Sequence, residues 1–282
     1  MYWKYVVNSL FLQVQMRASF ILISVLVFLA SCSGFNKVLK SKDNSLKYNK
    51  AMAYFDKKDY ARSLQLLELL RESYRGNDSM ESVYYYTAYC HYHLGDYEYA
   101  SLFFKDYTEN FSRSKRMIEC AYMAVYCDYR GIGTYELDQS NTKIVIGELQ
   151  TFINHYPNSS YAPLCNNHID DLRKKLHQKE YEWVMSHFNQ GHYRAAVTSA
   201  RTTLKSYPDI DQKEELEYIA VKAQYLYAVN SIDKKKLERF RETLENWKEY
   251  NYINGNRGAF YKDALEIKDK TEKEIAKLTE TI

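Results

Sequence analysis

The chain has 282 residues, with 39 basic and 36 acidic side chains and a formal net charge of +3. Lys and Arg are spread among Asp and Glu with no dense basic block, which argues against a nucleic-acid-binding surface. Only three prolines and nine glycines occur, too little punctuation for strands alternating with turns, so the composition points to helix. Tyrosine is the outlier at 29 residues. A phenol ring sits half in a core and half in water, which suits helices that line a groove as well as helix-on-helix packing.

Residues 1–31 read as a targeting segment rather than as part of the fold. Arg17 precedes an apolar run from Ala18 to Ala30, shorter than the roughly 20 residues a membrane span needs. The run ends in Leu29-Ala30-Ser31-Cys32, small residues and then a cysteine, which resembles a bacterial lipobox. That resemblance implies cleavage before Cys32 and a covalent lipid on its thiol; an ordinary signal peptide with a chance cysteine is the alternative. The first fifteen residues add nothing to this pattern, and Met16 offers an alternative translation start. Ser33 rather than Asp follows the cysteine, so the resemblance implies sorting to the periplasmic face of the outer membrane. Residues 32–44 are expected to form a lipidated polar tether.

Helices are then expected in pairs, over 45–57 and 60–74, 79–94 and 97–111, 114–130 and 142–155, 160–189 and 193–206, and 211–230 and 233–248. Gly76, Gly131 and Gly133 mark breaks, and Pro163 falls in a first turn, where its missing N–H costs little. Residues 131–141 read as an insertion between the two helices of the third pair, and a charged helix over 259–280 follows a loop.

The pairs share a register. Lys58-Asp59-Tyr60 and Gly95-Asp96-Tyr97 lie 37 residues apart, and residues 121–129 match 84–92 at the same offset. Gly191-His192-Tyr193 repeats the turn, with Ala196 three residues and Pro208 fifteen residues beyond the tyrosine. A small Ala88, a turn glycine, a junction tyrosine, then Ala100 and Phe104 at set distances are similar to the tetratricopeptide repeat, a helix-turn-helix unit of about 34 residues. One such unit cannot bury its apolar face and must stack on a neighbour. The expectation is an all-α, right-handed tetratricopeptide-like solenoid of about five helix pairs plus a C-terminal helix. Repeats 1–3 would occupy 45–157, repeats 4–5 158–250, and a loop with a capping helix 251–282. Tyr60, Tyr97 and Tyr193 are expected at repeat junctions.

No catalytic constellation is visible. Apart from Cys32, the cysteines at 90, 120, 127 and 165 fall within expected helices, with no C-x-x-C and no zinc spacing. They read as small buried hydrophobes, with a disulfide among them left open. The seven histidines are scattered, Asp170 and Asp171 point apart on a helix, and G-x-S-x-G, H-E-x-x-H and a phosphate-binding glycine loop are absent. No metal or cofactor is expected beyond the lipid on Cys32.

What remains is a ladder of mostly aromatic positions on the first helix of each pair, stepping by 37: Tyr48, Tyr85 and Tyr122; Met52, Tyr89 and Tyr126; Phe55, Tyr92 and Tyr129. Stacked repeats would bring each set side by side, either as a wall for an extended peptide or simply as inner-layer packing.

Several stretches carry a more specific resemblance: Tyr97-Glu98-Tyr99-Ala100, Leu137-Asp138-Gln139-Ser140-Asn141-Thr142, Leu149 to Ser159, and Gly191-His192-Tyr193-Arg194-Ala195-Ala196. With the lipobox and the charged C-terminal helix, they make nearly all of the mature chain resemble the BamD family, the lipoproteins of the outer-membrane β-barrel assembly (BAM) machinery. The Asp-Gln-Ser insertion is the most specific part. The resemblance implies a non-enzymatic role, in which N-terminal repeats engage unfolded barrel precursors through their C-terminal strand. C-terminal repeats would dock on the periplasmic domains of the barrel-forming subunit, BamA, with Arg194, Arg201 and Tyr225 as docking candidates. The chain departs from the pattern at Ser63, where alanine is expected, and at Ser112, where proline would sit. Two other classes share the lipobox and repeats: a scaffold for cell-envelope or division enzymes, and a glycan-binding outer-membrane lipoprotein.

Overall fold

The computed structural model describes residues 34–74 and 79–280. The targeting segment and Cys32 lie outside them. The described residues are all-α, in tetratricopeptide-like helix pairs, with helices packed on their neighbours in chain order within each of two compact units divided at Gly131 and Ile132.

The first unit holds α1 (Asn44–Asp56), α2 (Tyr60–Ser73), α3 (Met80–Leu94), α4 (Tyr97–Asn110) and α5 (Met117–Gly131), each packed on the next. Aspartates start the first two helices: the Asp43 side chain accepts the Leu46 N–H at 2.9 Å, and Asp59 accepts that of Arg62 at 3.3 Å, satisfying donors that an α-helix start leaves open. Close packing rests on small residues with no exposure, among them Ala51, Ala88, Cys90 and Ala100. Ser63 is among them, and its hydroxyl donates to the Ala51 carbonyl at 2.9 Å, so the departure from alanine is a satisfied buried hydroxyl.

The stretch expected to be a tether is helical over residues 34–39. Phe35 is 9% exposed, packs edge-on against Tyr54 at 5.6 Å and lies under the Arg62 guanidinium. A phenylalanine three residues beyond Cys32 is too apolar to stay solvated when a flanking aromatic surface is at hand.

The second unit holds α6 (Ser140–His155), α7 (Ala162–Asn189), α8 (Tyr193–Ser206), α9 (Lys213–Val229), α10 (Asp233–Asn254) and, after a 3-10 turn at Gly255–Arg257, α11 (Tyr261–Glu280). Its core includes Val184, Ala200, Leu216, Val221, Tyr250, Ala264 and Ile267. The insertion is folded from within by buried Gln139, whose amide donates to the Thr134 and Leu137 carbonyls and whose oxygen accepts from Thr142 at 2.7 Å. Lys175 and Lys179 of α7 also reach carbonyls of the insertion, at 3.0 Å to Gly133 and 2.6 Å to Leu137. Helix α11 packs Ala264, Ile267 and Thr271 on α9 and α10, and keeps its ion pairs, such as Lys270–Glu266, on the outer face.

Tyr60, Tyr97 and Tyr193 are half-buried. The fully buried aromatics are Phe104, Tyr107, Phe240 and Tyr250, one or more turns into the second helices of their pairs, where neighbours enclose them on all sides.

Two backbone positions generate predictions. Gly95 and Gly191 turn the chain at φ of 83° and 77°, and Lys58 holds the same place in the first pair at φ 60°. A side chain in the left-handed region is strained, so Lys58→Gly is expected to raise the unfolding free energy by about 0.5–1 kcal/mol, read from urea midpoints. At Gly258 an added Cβ would lie 2.6 Å from both the Glu214 carboxylate and the Tyr250 hydroxyl. Gly258→Ala is expected to destabilise by about 1–3 kcal/mol in the same measurement, as overpacking does.

Candidate functional site

The ladder positions all fall in the first unit, on α1, α3 and α5. Tyr48, Met52 and Phe55 are half-buried and pack against the core formed by Ala51, Leu66, Leu67, Leu70, Val83 and Cys90. Phe55 meets Tyr60 and Tyr86 edge-on at 5.3 and 5.0 Å. These three residues therefore serve first as packing.

The α3 and α5 positions make a continuous aromatic face. Tyr85 lies 4.7 Å from Tyr89, Tyr89 6.3 Å from Tyr92, and Tyr92 6.1 Å from Tyr126. Tyr126 is stacked between Tyr122 at 5.6 Å and Tyr129 at 5.9 Å. Tyr122 is buried at 8% exposure and backs the face, whereas the other five rings are half-buried. Tyr89 also rests edge-on against buried Phe104 at 5.1 Å, which fixes its ring.

Polar groups hold the rings in place. Glu119, in the first turn of α5, accepts hydrogen bonds from the hydroxyls of both Tyr85, at 2.8 Å, and Tyr89. Burial first, and then the Glu119 carboxylate, pushes the Tyr85 phenol up to about 12, and the same causes raise Tyr89. Both phenols stay protonated and donating at neutral pH. The Arg116 guanidinium sits 4.3 Å above the Tyr85 ring, a cation–π contact. At the opposite end, Arg130 donates to the Tyr97 hydroxyl at 2.6 Å and the Tyr126 hydroxyl at 3.3 Å, with its guanidinium over both rings.

Glu119, Arg116 and Arg130 are absent from the sequence-derived site. The 37-residue ladder marks aromatic positions; the polar groups that hold the rings stand outside it, and Glu119 lies 34 and 30 residues from its two tyrosines. A first-turn acidic residue on a helix carrying ladder positions is the signal that points to it.

The three docking candidates of the second unit do not converge. Arg194 lines an open cavity of about 830 Å³ with His192, Tyr227 and Asn230. Arg201 lines a separate one of about 400 Å³ and donates to Asn246. Tyr225 packs toward the core beside Phe240, with ring centroids 6.0 Å apart.

Catalytic chemistry finds little support in the thiols. Cys90, Cys120, Cys127 and Cys165 are free and buried. Burial pushes the Cys90 and Cys165 thiols up to about 11 and those of Cys120 and Cys127 to about 12, so they are protonated and poor nucleophiles at neutral pH. Among the described residues no cluster of three or more metal-ligating side chains occurs, and no helix is long and apolar enough to cross a membrane.

The arrangement predicts a role for Glu119 that stability measurements can check. Glu119→Ala removes the acceptor of two part-buried phenols, with an expected loss of about 1–3 kcal/mol in urea unfolding; Glu119→Gln, which keeps an acceptor, is expected to lose less.

A family model for outer membrane lipoproteins, YfiO, matches residues 40–253. Among curated proteins, the outer membrane protein assembly factor BamD of Pasteurella multocida (strain Pm70) is 21% identical over 202 residues, covering 68% of this chain and 77% of that protein. The family match runs from α1 through nearly all of α10 and takes in the aromatic face and the folded insertion alike. The chain belongs to the YfiO family of outer membrane lipoproteins.

Proposed function

We propose that this protein is a lipid-anchored, non-catalytic subunit of the machinery that assembles β-barrel proteins in the outer membrane. In this reading Cys32 carries the lipid and holds the chain at the periplasmic face. The first unit receives the unfolded C-terminal strand of barrel precursors, and the second docks on the periplasmic domains of a BamA-like barrel-forming subunit. The name of the Pasteurella relative, an assembly factor, supports the overall role.

The observation that carries the peptide-binding part is the face of Tyr85, Tyr89, Tyr92, Tyr126 and Tyr129. Its rings are half-exposed, and those of Tyr85 and Tyr89 are oriented by hydrogen bonds to Glu119 rather than left to rotate. Pre-ordered rings lose little entropy when a strand with alternating apolar side chains lies across them. Weak binding suits a client that must leave; a micromolar dissociation constant corresponds to about −8 kcal/mol. For the second unit, the cavity beside Arg194 and the one lined by Arg201, Lys205 and Lys213 with Glu217 and Glu249 are candidate surfaces for a folded partner.

Photocrosslinking with a peptide from the last strand of a barrel precursor tests the assignment. Crosslinks are expected on α3 and α5, and Tyr89→Ala with Tyr126→Ala is expected to weaken them while co-purification of the barrel-forming subunit persists. Crosslinks confined to residues beyond 190, or unchanged in the double variant, would contradict it.

A further inference from the structure

The aromatic face has two unlike ends. At the Arg116 end the positive charge is compensated, because Glu119 stands beneath Tyr85 and Tyr89, and Glu81 is close enough to feel Arg116. At the other end Arg130 is exposed and makes no ion pair among the described residues. The carboxylate two residues before it, Asp128, is taken by Lys105 at 2.9 Å. The acceptors that Arg130 does have, the hydroxyls of Tyr97 and Tyr126, are neutral. They hold a guanidinium in a fixed place with its charge unspent, and Tyr126 lies between Tyr92 and Tyr129 on the same face.

We propose that Arg130 is the receptor for the terminal carboxylate of the peptide that lies on this face. The peptide thereby binds in one direction, with its C-terminus toward Tyr126 and Tyr129 and its preceding residues toward Tyr85 and Arg116. A planar guanidinium pairs with a carboxylate through two parallel hydrogen bonds, a geometry that lysine lacks. The neighbouring rings offer a contact for an apolar or aromatic last side chain. A free carboxylate at the chain end and an acidic side chain share this chemistry, so the test separates them. The inference rests on the peptide-binding reading above and adds to it a residue, a ligand group and a polarity.

The experiment uses the full chain purified from membranes in detergent and three synthetic ten-residue peptides, the first two alike except at the terminal group. Both alternate apolar with polar uncharged side chains and end in phenylalanine, one as the free acid and one as the amide; a third, amidated peptide carries a penultimate glutamate. Fluorescence anisotropy is expected to show the free acid binding about five- to tenfold more tightly than the plain amide, the scale of a charge-assisted contact at a partly exposed site. Arg130→Gln is expected to abolish that difference, and Arg130→Lys to restore only part of it. A photoreactive group on the last peptide residue is expected to label Tyr126 or Tyr129, and one near the first residue the Arg116 end. Tight binding of the glutamate amide would assign Arg130 to side-chain carboxylates and overturn the terminal assignment. Equal affinities for acid and amide, or an equal loss for both in Arg130→Gln, would show that Arg130 merely props the tyrosines. Failure of every peptide to bind the unaltered protein would remove the peptide-binding reading and this site with it.

Discussion

A tyrosine ring packed between helices leaves a hydroxyl that must find an acceptor, and three glutamates, each in the first turn of a first helix, meet that demand. Glu81 accepts from Tyr107 and Ser114, at 2.7 Å each; Glu214 accepts from the Tyr250 hydroxyl at 2.8 Å and the Phe260 amide at 3.1 Å; Glu119 accepts from Tyr85 and Tyr89. A carboxylate at a helix N-terminus is already favoured by the helix dipole, and each one takes two donors, so the polar cost of burying so many phenols is met at few points. Glu81, whose hydrogen bonds to Tyr107 and Ser114 hold its carboxyl below the ordinary range, stays ionised and accepting at neutral pH.

The same device has two outcomes, decided by which helix supplies the tyrosine. Glu81 and Glu214 take theirs from the second helix of a pair, and those rings, Tyr107 and Tyr250, are fully buried. There the carboxylate is part of the core, and at Glu214 it also fastens the start of α11. Glu119 takes its tyrosines from α3, the first helix of the preceding pair, and those rings stay half-exposed. A surface of ordered phenols results. Glu119 and Glu81 stand at the Arg116 end of that surface, whereas Arg130 at the other end meets neutral hydroxyls, so the two ends differ in charge.

Much of this was legible from residue order. The 37-residue offset placed the helix pairs, because a unit that cannot bury its own apolar face must repeat to be stable. Boundaries followed from local chemistry: Gly95 and Gly191 as turn glycines, Pro163 in a first turn. The ladder of Tyr85, Tyr89, Tyr92, Tyr126 and Tyr129 followed from the repeat pattern and its 37-residue step. Phe35 did not, since a short polar-looking stretch shows no period and its docking depends on Tyr54 and Arg62 nineteen and twenty-seven positions away. Tyr60, Tyr97 and Tyr193 are half-buried, which residue order does not show, because a junction position does not say how far the next helix covers it.

By itself, then, the sequence determined the helical class, the pairing and the face on which the tyrosines gather, since each depends on neighbours within about one repeat. Tertiary structure alone decided which of those tyrosines are core and which are surface, that Glu119 rather than a ladder residue organises them, that Gln139 and two lysines close the insertion, and that Arg130 keeps an uncompensated charge. The physical reason is the range of the interaction. Helix periodicity and caps act over a few residues, whereas a carboxylate accepting from phenols 30 and 34 residues away, or a guanidinium that meets hydroxyls and no carboxylate, is defined only once the helices are packed.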